Sequence, residues 1–194
     1  MPISIGASEN TFANPIGLLS DCHRRVERFL QALLRVATRA AGGSLDAEHR
    51  RVLETALKYF REAAPKHTAD EEEDLFPKLR QMASTPASTV LADVDRLEAE
   101  HKAAEASHRE VEDLCERWLD QNFLPPQDAA HLRRLLTSLS DLYRVHIRTE
   151  EEQVFPVAQA ELSESELQAI GRRMASRQGV LFIPESAVLS HLER

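Results

Sequence analysis

Two short segments of the sequence place a histidine and a glutamate one helical turn apart. Glu71 follows His67 by four residues, and Glu150 follows His146 by four residues. Residues at this spacing lie on one face of an α-helix, so each pair can present an imidazole and a carboxylate to one point. These nitrogen and oxygen ligands suit iron, manganese or zinc, and suit thiolate-preferring metals less. The spacing therefore predicts metal binding.

The sequence around the two pairs is repeated. HTADEEEDLFP occupies residues 67–77 and HIRTEEEQVFP occupies residues 146–156, and a lone histidine, His23 or His101, precedes each copy at nearly the same distance. The chain thus contains two copies of one unit, a helix with a histidine followed by a helix with His-x-x-x-Glu. An internal repeat of helical hairpins implies a pseudo-two-fold axis, which would bring two equivalent half-sites together.

The elements that must position these residues are four long amphipathic segments with apolar residues at spacings of three and four. N-cap signals at Asn14, Asp46, Thr85 and Ser163, three glycines and paired prolines mark their ends. We predict helices over about 15–41, 46–82, 85–125 and 126–160, and a shorter helix over about 163–179. The predicted fold is all-α: an up-down four-helix bundle of two pseudo-symmetric hairpins plus the short C-terminal helix.

The same pattern predicts one domain over residues 1–194. The core bundle covers about 15–160, and the C-terminal helix and tail cover 161–194. The last fifteen residues include Pro184 and are predicted to form a loosely structured tail.

Polar residues interrupt the apolar stripes of the four long helices at one level. They are His23, His67, Glu71, His101, His146 and Glu150. An ionised glutamate without a partner is very unfavourable in a core. Two metal ions would supply the positive charge and would use the histidines as well. The predicted site is dinuclear, with four histidines and one bridging glutamate from each half.

This combination of residues resembles the hemerythrin-like, or HHE cation-binding, family over about residues 15–160. The resemblance rests on His23, His101 and the two copies of the His-x-x-x-Glu motif with its trailing Phe-Pro. It implies a non-haem, carboxylate-bridged centre of two iron ions that reacts with oxygen or nitric oxide. It also implies that the ligands are His23, His67, Glu71, His101, His146 and Glu150, and zinc or manganese could replace the iron.

The sequence departs from the oxygen-carrying form of that family. That form has a histidine one turn after the third-helix histidine and an aspartate five residues after the fourth-helix histidine. Here these positions are Glu105 and Glu151. The difference favours sensing, iron handling or redox chemistry over stable oxygen transport.

Further acidic residues lie near the predicted ligands. Glu27 and Glu105 each lie four residues after a predicted ligand. Each could bind metal, could accept a hydrogen bond from a ligand's second nitrogen, or could be a solvated or arginine-paired side chain. The acidic runs at 72–73 and 151–152 are predicted to form a solvated face and not to bind metal.

Other residues on the same stripes have simpler interpretations. His108 lies two turns beyond His101, too far along the helix for the same centre, and is predicted to be a hydrogen-bonded core residue. Packing is the predicted role of Tyr143 and Cys22.

Composition excludes several classes of partner. The chain has 32 acidic and 24 basic residues and a net charge of −8, which disfavours nucleic acid and anionic lipid surfaces. No apolar run approaches the roughly 20 residues needed to span a membrane. Two isolated cysteines and no recognisable signal peptide indicate a cytoplasmic protein.

Four functions are compatible with these residues. The first is sensing or scavenging of oxygen or nitric oxide, with a small diatomic molecule as partner. The second is iron handling or repair of iron centres, the third a di-iron oxidase or peroxidase, and the fourth an interaction module with a vestigial site. A gas-responsive metal protein is favoured over a turnover enzyme because the sequence shows no substrate pocket. The short C-terminal helix could cover the bundle or join two copies as a homodimer.

Overall fold

The computed structural model describes residues 10–82 and 84–182, and every regular element in these ranges is helical. The predicted tail from Pro184 onward lies outside the described residues. Two π-helical segments, Asp70–Leu75 and Glu150–Val154, are embedded among the α-helices. The α-helices are α1 (Pro15–Arg39), α2 (Ala47–Glu62), α3 (Ala64–Ala69), α4 (Phe76–Gln81), α5 (Thr85–Gln121), α6 (Pro126–Thr149), α7 (Phe155–Glu161) and α8 (Glu164–Gln178).

The helix starts follow the capping signals of the sequence. The side chain of Asn14 accepts a hydrogen bond from the backbone of α1, and Asp46 does the same for α2. Ser163 and Glu166 form the reciprocal capping box that opens α8. At α5 the predicted cap is wrong by one residue: Ser84 is the N-cap, and Thr85 is already helical.

The predicted helix over 46–82 is present, but it is not one regular α-helix. The segment is divided into α2, α3, the first π segment and α4. Pro65 and Pro77 each lie at the second position of a new α-helical stretch, where a missing backbone N–H costs least. The predicted helix over 126–160 is interrupted in the same way by the second π segment, which is followed by Pro156.

Two apolar clusters form the core, and the polar layer lies between them. α1 packs against α2 and α6, while α5 packs against α4, α6 and α7. The first cluster includes Phe29, Trp118 and Leu132, and the second includes Leu19, Phe76, Leu97 and Phe155. Along α1, for example, Leu19 belongs to one cluster and Val26 to the other, with His23 between them.

α8 covers the side of the first π segment. Arg177 forms ion pairs with Asp70, Glu73 and Asp74, and Arg173 Nε lies 2.5 Å from Asp74 Oδ1. α8 also contacts the chain before α1 closely, since a Cβ on Gly171 would collide with the Phe12 carbonyl oxygen. Of the two roles considered for this helix, the structure shows the covering one.

None of the helices among the described residues combines the length and the apolar character needed to cross a membrane.

Candidate metal centre

The fold brings all six residues of the predicted ligand set into one layer. α1 supplies His23, α3 supplies His67, and the first π segment supplies Glu71. The second half contributes in the same order: His101 from α5, His146 from α6, and Glu150 from the second π segment. Glu71 and Glu150 are completely inaccessible to solvent, at 0% exposure each. Carboxylates buried to this extent require a positive partner when they are ionised.

The imidazole Nε2 atoms surround the two carboxylates. Glu71 Oε1 lies 3.4 Å from His67 Nε2 and 3.6 Å from His23 Nε2, and Glu71 Oε2 lies 3.7 Å from His101 Nε2. Glu150 Oε2 lies 3.0 Å from His23 Nε2, and Glu150 Oε1 lies 3.3 Å from His146 Nε2. Each carboxylate therefore faces histidines contributed by more than one helix.

The atoms that face one another are left without hydrogen bonds. Both carboxylate oxygens of Glu71, both of Glu150 and Nε2 of His23 are buried and have no hydrogen-bond partner among the described residues. Buried polar atoms are normally paired, so five unpaired atoms that converge on one point are exceptional. Metal ions would satisfy them, because metals bind to lone pairs and not to protons.

The donor atoms form two groups that could each hold a metal ion. His23, His67 and Glu71 make the first group, and His101, His146 and Glu150 make the second; within each group the ligand atoms lie within 4.8 Å of one another. Each group offers two imidazoles and one carboxylate, a donor set that fits iron, manganese or zinc.

Burial controls the protonation of this layer. It lowers the pKa of His67 well below its ordinary value, and the charge of His23 lowers it further. Burial, together with the neighbouring Glu150 carboxylate, raises the pKa of Glu71 to about 8. Burial also opposes ionisation of Glu150, yet contacts with His146 and His23 hold its pKa below the ordinary value. His67 is thus a neutral imidazole, the form that binds metal.

Comparison with known proteins agrees with this arrangement. The sequence profile of the hemerythrin HHE cation-binding domain matches residues 14–158. The chain belongs to this family. An uncharacterised protein of Haemophilus influenzae is 28% identical over 170 residues, which is 88% of this chain and 93% of that protein. The resemblance inferred from the repeated motif is confirmed. Membership in a cation-binding family supports metal binding by the two His/Glu groups.

In this HHE domain, carboxylates outside the ligand set orient the histidines. His23 Nδ1 lies 3.1 Å from Glu151 Oε1, and His101 Nδ1 lies 2.9 Å from Glu72 Oε1. Each glutamate directly follows a predicted glutamate ligand and contacts a histidine of the other half of the chain. An imidazole that donates its Nδ1–H to a carboxylate has its ring orientation and tautomer fixed, with Nε2 free for metal. Both glutamates lie outside the candidate metal groups, as predicted, and Glu151 is exposed, but the prediction of a solvated face missed their contacts with the histidines.

The π segments explain why two consecutive glutamates serve one site. Adjacent residues of a regular α-helix point about 100° apart. The wider π turn changes this angle at the point where Glu71 and Glu72, or Glu150 and Glu151, are needed together. The sequence signal was available, because a glutamate stands five residues after the motif histidine in both halves, but its side-chain direction depended on the unrecognised π turn.

The two halves differ in how one of their histidines is oriented. Glu100 directly precedes His101, and its Oε2 lies 2.9 Å from His146 Nδ1. Cys22 directly precedes His23 and therefore occupies the equivalent position of the first half. His67 Nδ1, the counterpart of His146 Nδ1, is buried and has no hydrogen-bond partner within the described part of the chain. The first half thus lacks one of the carboxylates that orient histidines in the second half.

The two further glutamates for which metal binding was one interpretation lie outside both groups. Glu27 is exposed on α1, and Glu105 is exposed on α5, where it lies 3.4 Å from Arg109. The structure therefore supports the solvated or arginine-paired interpretation of both residues over the metal-binding one. His108 matches its prediction, because its Nε2 lies 2.9 Å from the Tyr143 hydroxyl.

A small cavity adjoins the histidines. Its volume is about 20 Å³. The space is large enough for one water molecule or a diatomic molecule, since a single water needs about 10–15 Å³ by this kind of measure. Its walls are the four histidines together with Val26, Ala64, Thr68, Tyr143 and Ile147.

Proposed function

We propose that this HHE domain is a non-haem di-iron protein that binds oxygen or nitric oxide and acts as a sensor or scavenger. The convergence of two fully buried, unpaired carboxylates with four imidazoles carries the proposal. The proposed ligands are His23, His67, Glu71, His101, His146 and Glu150. Iron bound by these residues would supply a coordination position for a small ligand and one-electron chemistry.

The proposed architecture behind this function is an up-down four-helix bundle in a single domain over residues 1–194. α1, α2 with its continuation, α5, and α6 with its continuation would be the four members. The cytoplasm is the proposed location, because Cys22 and Cys115 are free thiols.

The size and lining of the adjoining cavity support a diatomic ligand. Its apolar walls include Val26, Ala64 and Ile147, and its volume of about 20 Å³ leaves no room for an organic substrate. The ring of Tyr143 packs against His146 at a centroid distance of 5.8 Å. The protein's own contribution is to orient the imidazoles, to exclude bulk water and to limit access by size.

A second candidate function, a di-iron oxidase, is favoured by one observation. A much larger cavity of about 750 Å³ lies beside the metal layer and could hold an organic substrate. Sensing and oxidation are distinguished by turnover: an oxidase consumes oxygen in repeated cycles when substrate and reductant are present, whereas a sensor or scavenger does not.

The test is anaerobic loading with ferrous iron, followed by metal analysis and visible absorption before and after addition of nitric oxide or oxygen. We expect two iron ions per chain and a ligand-dependent spectrum. His67→Ala and His146→Ala should each lose iron, because each removes a nitrogen ligand from a different group. His131→Ala is the matched control, since His131 pairs with Glu110 away from the site.

Three outcomes would contradict the proposal. Full iron content in both ligand variants would remove the ligand assignment. Failure of the parent chain to take up ferrous iron under anaerobic conditions would remove the basis for the gas chemistry. An iron-loaded protein whose absorption spectrum does not change on addition of either gas would favour iron handling over gas binding.

A further inference from the structure

A cavity of about 750 Å³ lies between α1, α2 and α8. Leu18, Cys22, Arg25 and Phe29 line it from one face of α1, at the three- and four-residue spacing of a single helical stripe. Binding sites for small molecules commonly have volumes of about 300–1,000 Å³. The cavity is therefore of the right size for an organic ligand.

Most of the cavity wall is apolar. Phe12, Leu18, Phe29, Met174 and Val180 contribute hydrophobic surface from three different parts of the chain. Such a wall favours a ligand with an apolar body, because transfer of that body out of water supplies the main attraction.

Arg25 is the charged group of this wall that forms no ion pair within 4.0 Å among the described residues, although the more distant charge of Asp21 helps to raise its pKa. Its side chain is half-buried, and one guanidinium nitrogen donates to Cys22 Sγ at 2.9 Å. Its Nε is buried without an acceptor, and no described carboxylate oxygen lies within 4.0 Å of the guanidinium.

The other charged groups of the wall are already paired. Lys58 lies 4.0 Å from Glu62 across one turn of α2, and Asp70 pairs with Arg177. The planar guanidinium of Arg25 matches a carboxylate in shape and charge, and its Nε lacks an acceptor among the described residues. The cation of this cavity thus favours an anionic ligand.

We propose that the cavity binds a small organic monocarboxylate, with the carboxylate on Arg25 and the apolar body against Leu18, Phe29 and Met174. The site is separate from the metal layer, although Cys22 and Asp70 directly precede His23 and Glu71 in the chain. The proposal does not depend on which gas the metal centre binds.

The experiment is isothermal titration calorimetry on the metal-loaded, full-length chain with three probes. Octanoate carries both features, 1-octanol carries only the apolar body, and acetate carries only the carboxylate. We expect one octanoate per chain and at least about tenfold weaker binding of 1-octanol, which lacks the hydrogen-bonded charge pair. Acetate should also bind at least about tenfold more weakly, because it lacks most of the apolar body. Acetate also reports any carboxylate binding to the metals themselves.

Two variants locate the site. Arg25→Gln should weaken octanoate at least about tenfold while leaving 1-octanol unchanged, because only the charge interaction is lost. Arg35→Gln removes the same charge from an exposed position of α1 and should have no effect. Leu18→Trp should weaken octanoate and 1-octanol together by filling the cavity.

Any of the following results would overturn the proposal. The first is failure of octanoate to bind at millimolar concentration. The second is an affinity for octanoate no higher than that for acetate, which would indicate that octanoate binds to the metal ions. Equal affinity for octanoate and 1-octanol, or equal octanoate affinity in the parent chain and in Arg25→Gln, would remove Arg25 as the anion site. Retained iron content and helical circular dichroism show that each variant is folded.

Discussion

Glu100 contacts the Nδ1 atom of His146 at 2.9 Å. This relationship has no counterpart in the first half of the site, where Cys22 stands in place of the glutamate and His67 Nδ1 has no partner among the residues that the structure describes. The two proposed metal positions therefore have the same ligand types but differ in the carboxylates that orient their histidines. A histidine ligand held by a carboxylate is better oriented and more basic than one without it.

Removal of the Glu100 carboxylate should weaken metal binding. We expect Glu100→Gln to lower the affinity of the His101–His146–Glu150 group about 10–100-fold, the usual effect of losing such a partner. In the parent chain a chelator should remove one metal ion faster than the other, and the variant should lose this difference. Metal analysis during timed chelation measures both effects.

Glu110→Gln is the control for this prediction, because Glu110 on the same helix pairs with a histidine outside the site, His131, at 2.7 Å. Simultaneous release of both metals from the parent chain, or equal retention in the two glutamine variants, would contradict the prediction.

A larger side chain in the wall of the small cavity should slow ligand binding without removing metal. Ala64 lines that cavity at the first position of α3, and a leucine there would occupy space next to the histidines. We expect Ala64→Leu to reduce the rate of nitric oxide binding about tenfold or more, because the added side chain obstructs the ligand and a barrier higher by about 1.4 kcal/mol slows a step tenfold. Stopped-flow absorption measures the rate.

Ala47→Leu, at the exposed first position of α2, is the matched control for the cavity variant and should bind nitric oxide at the parent rate. An unchanged rate in Ala64→Leu with full iron content would show that the ligand reaches the centre by another route.

The ion pairs between α8 and the first π segment should stabilise the fold. Arg177 pairs with Asp70 and Asp74, which are each 2% exposed. Arg177→Met leaves buried carboxylates with less compensation, and we expect a loss of about 3 kcal/mol in the free energy of unfolding. Arg144→Met breaks the exposed pair with Asp141 and should change stability little. Urea unfolding of the metal-free proteins compares them, and equal losses would contradict a special role for α8.

Stability should fall in acid because of His108. Burial lowers the pKa of this histidine from 6.5 to about 4. As the pH falls from 6.5 towards 4, the unfolded chain takes up the proton before the folded chain does, so the folded state loses stability, by at most about 3 kcal/mol from this residue. His108→Gln keeps a partner for the Tyr143 hydroxyl and should make the pH dependence shallower. Urea unfolding of metal-free protein at both pH values measures it, and parallel curves would exclude His108 as the cause.

Much of the fold could be predicted from local chemistry. Asn14, Asp46 and Ser163 are caps whose effect depends on neighbouring backbone groups, so their positions follow from the nearby sequence. The repeated His-x-x-x-Glu motif identified the residues that the structure brings together, because a carboxylate on an apolar stripe is too unfavourable to stay buried without a cation.

The parts that were missed depend on geometry that no short spacing encodes. The π segments shift the direction of Glu72 and Glu151, and a regular helix would not bring each of them to a histidine of the other half. The role of Glu100 required knowledge of which helix lies opposite it. The large cavity is lined by residues of α1, α2 and α8, and the amphipathic pattern of α8 did not predict where that helix packs.

The crossed contacts of Glu72 with His101 and of Glu151 with His23 make the two halves of the chain mutually dependent. Neither hairpin alone contains a histidine pair that is fully oriented, so a chain interrupted between its halves could assemble the centre only by reassociation of the two fragments. Binding of the proposed metal ions would thereby depend on completed assembly: a partly folded chain, with one hairpin formed and the other absent, would expose the predicted ligands yet bind metal poorly.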